Sequence, residues 1–446
     1  MKIRVDAWAW IPKDSLTFTQ MQALRAALTV IPRKVGDYPG EKPGPIHLFV
    51  DTPTHIGIAR EYYRLFKQPQ HETDLQVSDG LKELASPIGE FTFTLRPAQA
   101  EAVGKIVEAY KSDETGGMLQ AAPGTGKTIM ACAVAAALQV PTLVIVHKEF
   151  LVDQWKLRIE QCLPEAKVGI VQQDKCEFLG RSIAIGMIHS LVERDYAEEF
   201  FDWPGLIIMD ECHRVGAATW SNVPPRFRAR FRLGLSATPR RKDGAENVFK
   251  YHLGRILYQN SEPRLKVKVR KIPTKFKLVR TDNFNPSLVK KPLLLSLMCG
   301  SVGRNRQIVE QLILAVNAGR KVLVLSERLN HLETLEQLLF SSWPNSLPKP
   351  TTGSYVGGMS KSALAESAEA QVIFATSQFV QEGLDIPELD TLFMTTPMSD
   401  VEQAVGRIQR PAEGKKEPVV VDFIDEGIPV CVKWYEYRED HYKKVA

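Results

Sequence analysis

Long apolar runs are missing from this sequence. No stretch of about 18 consecutive apolar residues occurs, so no membrane-spanning helix is predicted. The opening segment MKIRVDAWAW lacks the apolar core of a secretory leader. Cysteine is sparse, with six residues at 132, 162, 176, 212, 299 and 431 and no CxxC pair. That spacing argues against a zinc ribbon or a disulfide framework and fits a reduced interior. Together these absences predict a cytoplasmic protein. Charge of one sign is also lacking, because 57 basic and 52 acidic residues leave only +5. Bulk charge therefore gives little sign of a nucleic-acid partner. No short repeat, low-complexity tract, nucleophile–base triad or metal-ligand cluster stands out.

What is present is a globular chain of 446 residues, long enough for two to four domains of roughly 100–200 residues. Residues 1–88 read as a separate small α/β domain. IRVDAWAW alternates like one strand, and Thr17 to Leu28 follows a helical pattern. The stretch IPRKVGDYPGEKPGP is dense in turn residues. IHLFVD reads as a second strand and IGIAREYYRLFKQ as a helix.

From Gly89 onward, short apolar strands alternate with amphipathic helices, which predicts a parallel α/β sheet. The strands read as continuous apolar runs: LVIV at 143–146, LIIM at 206–209, VLVL at 322–325, VIFA at 372–375 and VVVDF at 419–423. The alternation pauses between Ile256 and Ser296. There RLKVKVRKIPTKFKLVR, at 264–280, holds eight basic residues and no acid. The boundaries read as 89–258 and 259–446, the latter beginning with this basic connector. A short helix is predicted at the end, in VKWYEYREDHYKK.

The strongest chemical signal is AAPGTGKT at 121–128, placed between the strand pattern GGMLQ and the helical run IMACAVAAALQ. Strand, glycine loop and helix are the setting in which backbone N–H groups wrap phosphate oxygens at a positive helix end. Ala122, Pro123, Gly124, Thr125 and Gly126 form the loop. Lys127 would reach the β- and γ-phosphates of ATP, and Thr128 would ligate Mg2+. Ala121 stands where the general pattern has glycine. The second signal is DECH at 210–213, directly after LIIM. Asp210 would hold Mg2+, and Glu211 would orient the attacking water.

These motifs, in this order, resemble the superfamily 2 helicases over residues 89 to 424. Leu95-Arg96-Pro97-Ala98-Gln99 is similar to the family's upstream glutamine motif, which implies that Arg96 and Gln99 serve the nucleotide, the glutamine at the adenine edge. HKEFLVDQW at 147–155 resembles the motif that touches nucleic-acid backbone, implying contacts from His147 and Lys148. Ser236-Ala237-Thr238 matches the family's SAT motif, which links ATP state to domain movement and places Ser236 and Thr238 on the nucleic-acid side. EGLDIP at 382–387 resembles motif V, with Gly383 and Asp385 at the nucleotide. QAVGRIQR at 403–410 matches QxxGRxxR, implying that Gln403, Arg407 and Arg410 face the γ-phosphate. His213 would couple the site to the second domain. The implied fold is α/β, with two RecA-like domains of parallel strands behind the small N-terminal domain. The implied cofactors are ATP and Mg2+.

DECH rather than DEAD, the run SATPRRKDG at 236–244 and the compact size resemble XPB-like motors and phage UvsW-type branch-migration helicases. That type implies forks, Holliday junctions or R-loops as substrates and a monomer as the working unit, with RNA still open. A restriction or nuclease motor subunit is the alternative. Two basic features remain ambiguous between a solvated face and a phosphate-binding one. One is the segment with Lys266, Lys268 and Arg270. The other is PRFRARFR at 225–232, read as a strand with four arginines on one face. Arg304 and Arg306 read as helix-face residues. Trp155 and Trp220 read either as base-stacking platforms or as core. Residues 1–88 read either as a holder for a duplex arm, dispensable for ATP turnover, or as a fold-stabilising cap or protein-docking module.

Overall fold

The computed structural model describes residues 2–33, 44–66, 71–122, 124–213, 220–237, 239, 243–260, 265–278, 289–376, 386–398 and 401–445. Contacts divide the chain into two compact units, Met1–Glu262 and Pro263–Ala446. No helix among the described residues is long and apolar enough to cross a membrane.

The first unit begins with a five-stranded sheet. Its order is Phe49–Asp51, His55–Ala59, Trp8–Pro12, Lys2–Val5 and Glu72–Leu75, antiparallel except for the last pair. IRVDAWAW is a hairpin rather than one strand. Asp6 turns it, its carboxylate accepting the Trp8 N–H at 2.9 Å and the Trp10 indole at 2.8 Å. The alternation nevertheless holds across the turn, so Ile3, Val5, Ala9 and Ile11 all face one core. IGIA, expected in a helix, is the buried strand His55–Ala59, and the helix starts only at Arg60. Helix Phe18–Ala27 is closed at its start by a reciprocal Thr17–Gln20 capping box.

This small sheet has its own core, yet later residues of the first unit share it. Val248 of helix Glu246–Leu253 and its capping residue Ala245 belong to it, and Tyr62 packs on Tyr251. Two buried arginines fasten the joint. Arg60 donates to the carbonyls of Ala229 at 2.8 Å and Arg230 at 3.1 Å, and Arg232 donates to Ala7 at 3.0 Å. Gly116 permits the close approach, since a β-carbon there would sit 2.6 Å from the Glu61 carboxyl carbon.

An eight-stranded sheet follows, in the order Lys175–Cys176, Val168–Gln172, Ile183–Met187, Thr142–Val146, Leu206–Met209, Phe231–Ser236, Gly116–Gln120 and Ile256–Gln259. All neighbours are parallel except the first hairpin. Helices cover both faces, which is why LIIM and its neighbours are apolar throughout. Because the strands are parallel, the chain leaves four of them at one edge. That edge carries the phosphate loop, His147-Lys148, Asp210-Glu211 and Ser236-Ala237 together.

The second unit holds six parallel strands in the order Lys268–Pro273, Val419–Ile424, Thr391–Met394, Val322–Ser326, Val372–Thr376 and Thr352–Tyr355. The basic connector is therefore partly an edge strand, where lysines blunt the exposed edge against pairing. Arg304 lies on helix Val302–Asn317, as its helix-face reading requires, but points inward. It is buried and forms a bidentate pair with Asp425 at 2.8 and 3.1 Å. The terminal helix is long, Pro429–Val445, and Arg438 anchors it through a buried bidentate pair with Asp422.

PRFRARFR is not a strand with an arginine face. Pro224–Arg226 is a single 3-10 turn, and the strand starts at Phe231. Each arginine has a protein partner: Arg226 the Leu191 carbonyl, Arg228 Asp202, Arg230 Asp79, and Arg232 three buried carbonyls. The phosphate-binding reading of this run is thereby withdrawn.

Candidate nucleotide site

The loop after Gly116–Gln120 delivers Gly126 as the residue capping helix Lys127–Leu138. Gly124 and Gly126 have φ of 79° and 89°, left-handed values that exclude most side chains. Arg96 and Gln99 each donate to the Thr125 carbonyl at 2.8 Å, and the Gln99 oxygen accepts the Arg96 N–H at 3.0 Å. In a trans peptide the next N–H points opposite to the carbonyl. This brace therefore turns the Gly126 N–H away from Arg96 and Gln99. The resemblance placed the Gln99 amide at adenine, but here it is buried and holds the loop. Thr125 closes the turn by donating its hydroxyl to the Ala122 carbonyl at 2.7 Å. Lys127 rests its ammonium on the Ala121 carbonyl at 3.0 Å. Pro123 lies outside the described residues.

At the neighbouring strand end, the Asp210 carboxylate has two protein donors. One oxygen accepts the Glu211 N–H at 3.0 Å, and the other accepts the Trp155 indole N–H at 2.9 Å. Burial pushes the Asp210 carboxyl above its ordinary range, and the Glu211 charge adds to this. Trp155, Lys127 and His147 act in the opposite direction. Glu211 has φ of 49°, unusual for a residue with a side chain and typical of functional turns. Its carboxylate lies 3.4 Å from His213 Nδ1, which is 3.1 Å from the Ser236 hydroxyl.

These contacts, and burial nearby, bear on three nucleic-acid expectations, those for Ser236, His147 and Trp155. Ser236 is 1% exposed and bonded to His213, so it belongs to the interior. His147, at 7% exposed, is likewise buried beside Asp210. His213 has both these partners within the first unit. Lys148, half-buried as the cap of helix Glu149–Cys162, keeps its expected position at the sheet edge. Trp155 is 2% exposed, which removes it as a base-stacking platform.

In the second unit, Gln403 and Arg407 lie on helix Glu402–Ile408, with Arg410 just beyond it. Arg407 is largely buried, and the Lys415 ammonium donates to the Arg410 carbonyl at 2.7 Å. Burial lowers that ammonium to about 8. Lys266, Lys268 and Arg270 are exposed on or beside the edge strand. Lys268 pairs with Glu417 at 3.0 Å and Arg270 donates to Gln311 at 3.3 Å, so part of that charge is already compensated. Thr238, Gly383 and Asp385 lie outside the described residues.

The donor chemistry fits a magnesium nucleotide. No cluster of three or more His, Cys, Asp or Glu exists among the described residues that could cage a metal alone. Asp210 offers one carboxylate and Thr128 one hydroxyl, both hard-oxygen donors. Mg2+ commonly takes such donors together with substrate phosphates. Two contacts in this site that sequence patterns did not indicate are the Trp155 indole on Asp210 and the Arg96–Gln99 brace on Thr125.

Known proteins resemble this chain in sequence and in fold. Residues 92–241 match the family model of the type III restriction enzyme res subunit. A protein of Acanthamoeba polyphaga mimivirus, named for ATP-dependent RNA helicase activity, is 30% identical over 458 aligned positions, covering 100% of this chain and 86% of its own length. The fragment structure of an HsdR subunit of a type I restriction enzyme from Vibrio vulnificus shares the fold, with a TM-score of 0.54 at 18% identity. It covers 77% of this chain and 66% of that one. The crystal structure of T4 UvsW aligns over 100% of this chain and 97% of its own, at 15% identity and a TM-score of 0.41. The chain belongs to the superfamily 2 helicases, whose ATP hydrolysis is coupled to unwinding nucleic acid.

Proposed function

We propose that this protein is a DNA helicase that remodels branched substrates such as forks, four-way junctions and R-loops, working as a monomer in replication, recombination or repair. The observation that carries this reading is the joint between the small sheet and the motor. Arg60 and Arg232 bind a folded element rigidly across the starts of the strands that carry the phosphate loop and Ser236. A minimal motor needs no such element. A rigid one beside the motor is suited to holding one duplex arm while the motor pulls on another strand. The restriction-enzyme family model over the first motor sheet supports DNA as the polymer, and the name of the mimivirus relative favours RNA as the second reading.

Within the site we assign Lys127 to the β- and γ-phosphates, Thr128 and Asp210 to Mg2+, and Glu211 to the attacking water. Mg2+ would neutralise phosphate charge during transfer. Gln403, Arg407 and Arg410 are assigned to the γ-phosphate on the strength of their motif alone. Lys148 is assigned to backbone phosphate.

The test is a strand-separation panel comparing forks, four-way junctions, R-loops and blunt duplex, in DNA and RNA versions, with and without ATP. Preference for branched DNA over blunt duplex supports the proposal. Preferential unwinding of RNA establishes the second reading. ATP turnover without strand separation on any substrate points to a translocating motor subunit.

A further inference from the structure

Trp155 is the one tryptophan whose indole N–H reaches the proposed metal carboxylate among the described residues. It lies on helix Glu149–Cys162, whose capping residue Lys148 sits at the sheet edge. Seven residues, or about 10 Å of helix, separate the two. The indole is buried within the first motor core, beside Val152 and Ile159. Its N–H points out of that core to one Asp210 oxygen, while the Glu211 backbone N–H holds the other.

A carboxylate with a single donor can still rotate about its Cβ–Cγ bond, whereas separate donors on its two oxygens fix its plane. The chemical identity of the donor matters as well. Indole is a neutral donor with no acceptor, so it orients the carboxylate without cancelling the charge that attracts a cation. A lysine or arginine in the same place would compete with the metal. Phenylalanine would fill the core but leave the oxygen free to turn.

We propose that Trp155 is a positioning residue for Mg2+ binding, holding Asp210 in its metal-receiving orientation and tying that orientation to the helix that begins at Lys148. This rests on the assignment of Asp210 to Mg2+. Hydrogen-bonded partners of metal ligands typically contribute 10–100-fold to metal affinity.

The experiment measures ADP affinity by calorimetry with and without Mg2+ for the intact chain and for Trp155→Phe, Trp155→His and Asp210→Asn. The expected result for Trp155→Phe is unchanged metal-free ADP affinity and a loss of about 10–100-fold in the concentration dependence on Mg2+. Trp155→His retains a ring N–H and should keep more of the Mg2+ response than phenylalanine does. It carries the test if the phenylalanine variant fails to fold. An Asp210→Asn variant with a full Mg2+ response would overturn the metal assignment itself. If Asp210→Asn loses that response while Trp155→Phe keeps it, the positioning role of Trp155 is overturned alone. Equal loss of metal-free and metal-dependent affinity in Trp155→Phe and Trp155→His would also overturn it, since a purely structural role behaves that way.

Discussion

Arg232 donates to the Ala7 carbonyl at 3.0 Å, joining the first hairpin of the chain to the strand that ends at Ser236. Its other partners are the carbonyls of His252 and Phe227. Arg60 makes the matching connection from the small sheet, with Glu61 at 3.3 Å as its counter-charge. Removing Arg60 leaves Glu61 buried without that charge. Arg60→Ala should therefore cost on the order of 3–5 kcal/mol. Because the two sheets share a core, the loss should appear in one cooperative urea transition of the fragment Met1–Glu262. Two separate transitions, with only the smaller one shifted, would show that the sheets fold independently.

The same joint changes what is expected of a truncation. Sequence pattern alone makes residues 1–88 a detachable domain. In the structure, their deletion would uncover Val248 and Tyr251 and strip Arg232 of a carbonyl. Removal should thus destabilise the motor as well as any arm-holding function.

Much of the motor was legible because its signals are local. LIIM is apolar at every position since both sheet faces are covered, and its strand runs over those four residues. The phosphate loop announces itself by glycines at left-handed positions. Long-range partners left no such trace. Nothing in PRFRARFR distinguishes an arginine facing solvent from Arg232, two of whose three carbonyl partners, Ala7 and His252, lie outside the run. IGIAREYYRLFKQ mixes a strand and a helix, and only the pairing of His55–Ala59 with Trp8–Pro12 separates them. The role of Gln99 at Thr125 was similarly invisible, because the motif records the residue and not the atom it touches.

ATP chemistry gives a paired prediction. Lys127→Ala should abolish hydrolysis, because the β/γ-phosphate charge loses its compact cation. Glu211→Gln should bind ATP with near-parental affinity but stall turnover. Equilibrium binding of a fluorescent nucleotide and steady-state phosphate release distinguish the two. Parental turnover in Glu211→Gln would remove it as the residue orienting water.

Arg407→Ala should lower the maximal rate by a factor of about 10³–10⁵ while leaving ATP affinity nearly intact, as a transition-state contact requires. Rate and affinity are separated by measuring kcat and KM across ATP concentrations. Weakened binding with an unchanged maximal rate would contradict the assignment.

Two buried histidines set an acid limit. Burial presses both His252 and His331 down to about 3, so each stays neutral in the folded chain. The unfolded chain binds these protons below about pH 6.5. Stability is therefore full above that pH and falls as pH drops toward 3. Each histidine contributes about 1.4 kcal/mol per pH unit. His252 Nδ1 has no hydrogen-bond partner, so phenylalanine is a fair replacement. His252→Phe should take up one fewer proton on unfolding between pH 6 and 4, measured as a shallower dependence of the urea midpoint on pH. An unchanged slope would mean that His252 is protonated in the folded chain.

The most direct test of the central claim is dissociation of a four-way DNA junction by the intact chain, set against a blunt duplex built from the same strands. The expected result is ATP-dependent resolution of the junction, much slower opening of the blunt duplex, and neither reaction with Glu211→Gln. Equal rates on both substrates, or junction resolution that persists in Glu211→Gln, would contradict the reading of this chain as an ATP-driven remodeller of branched DNA.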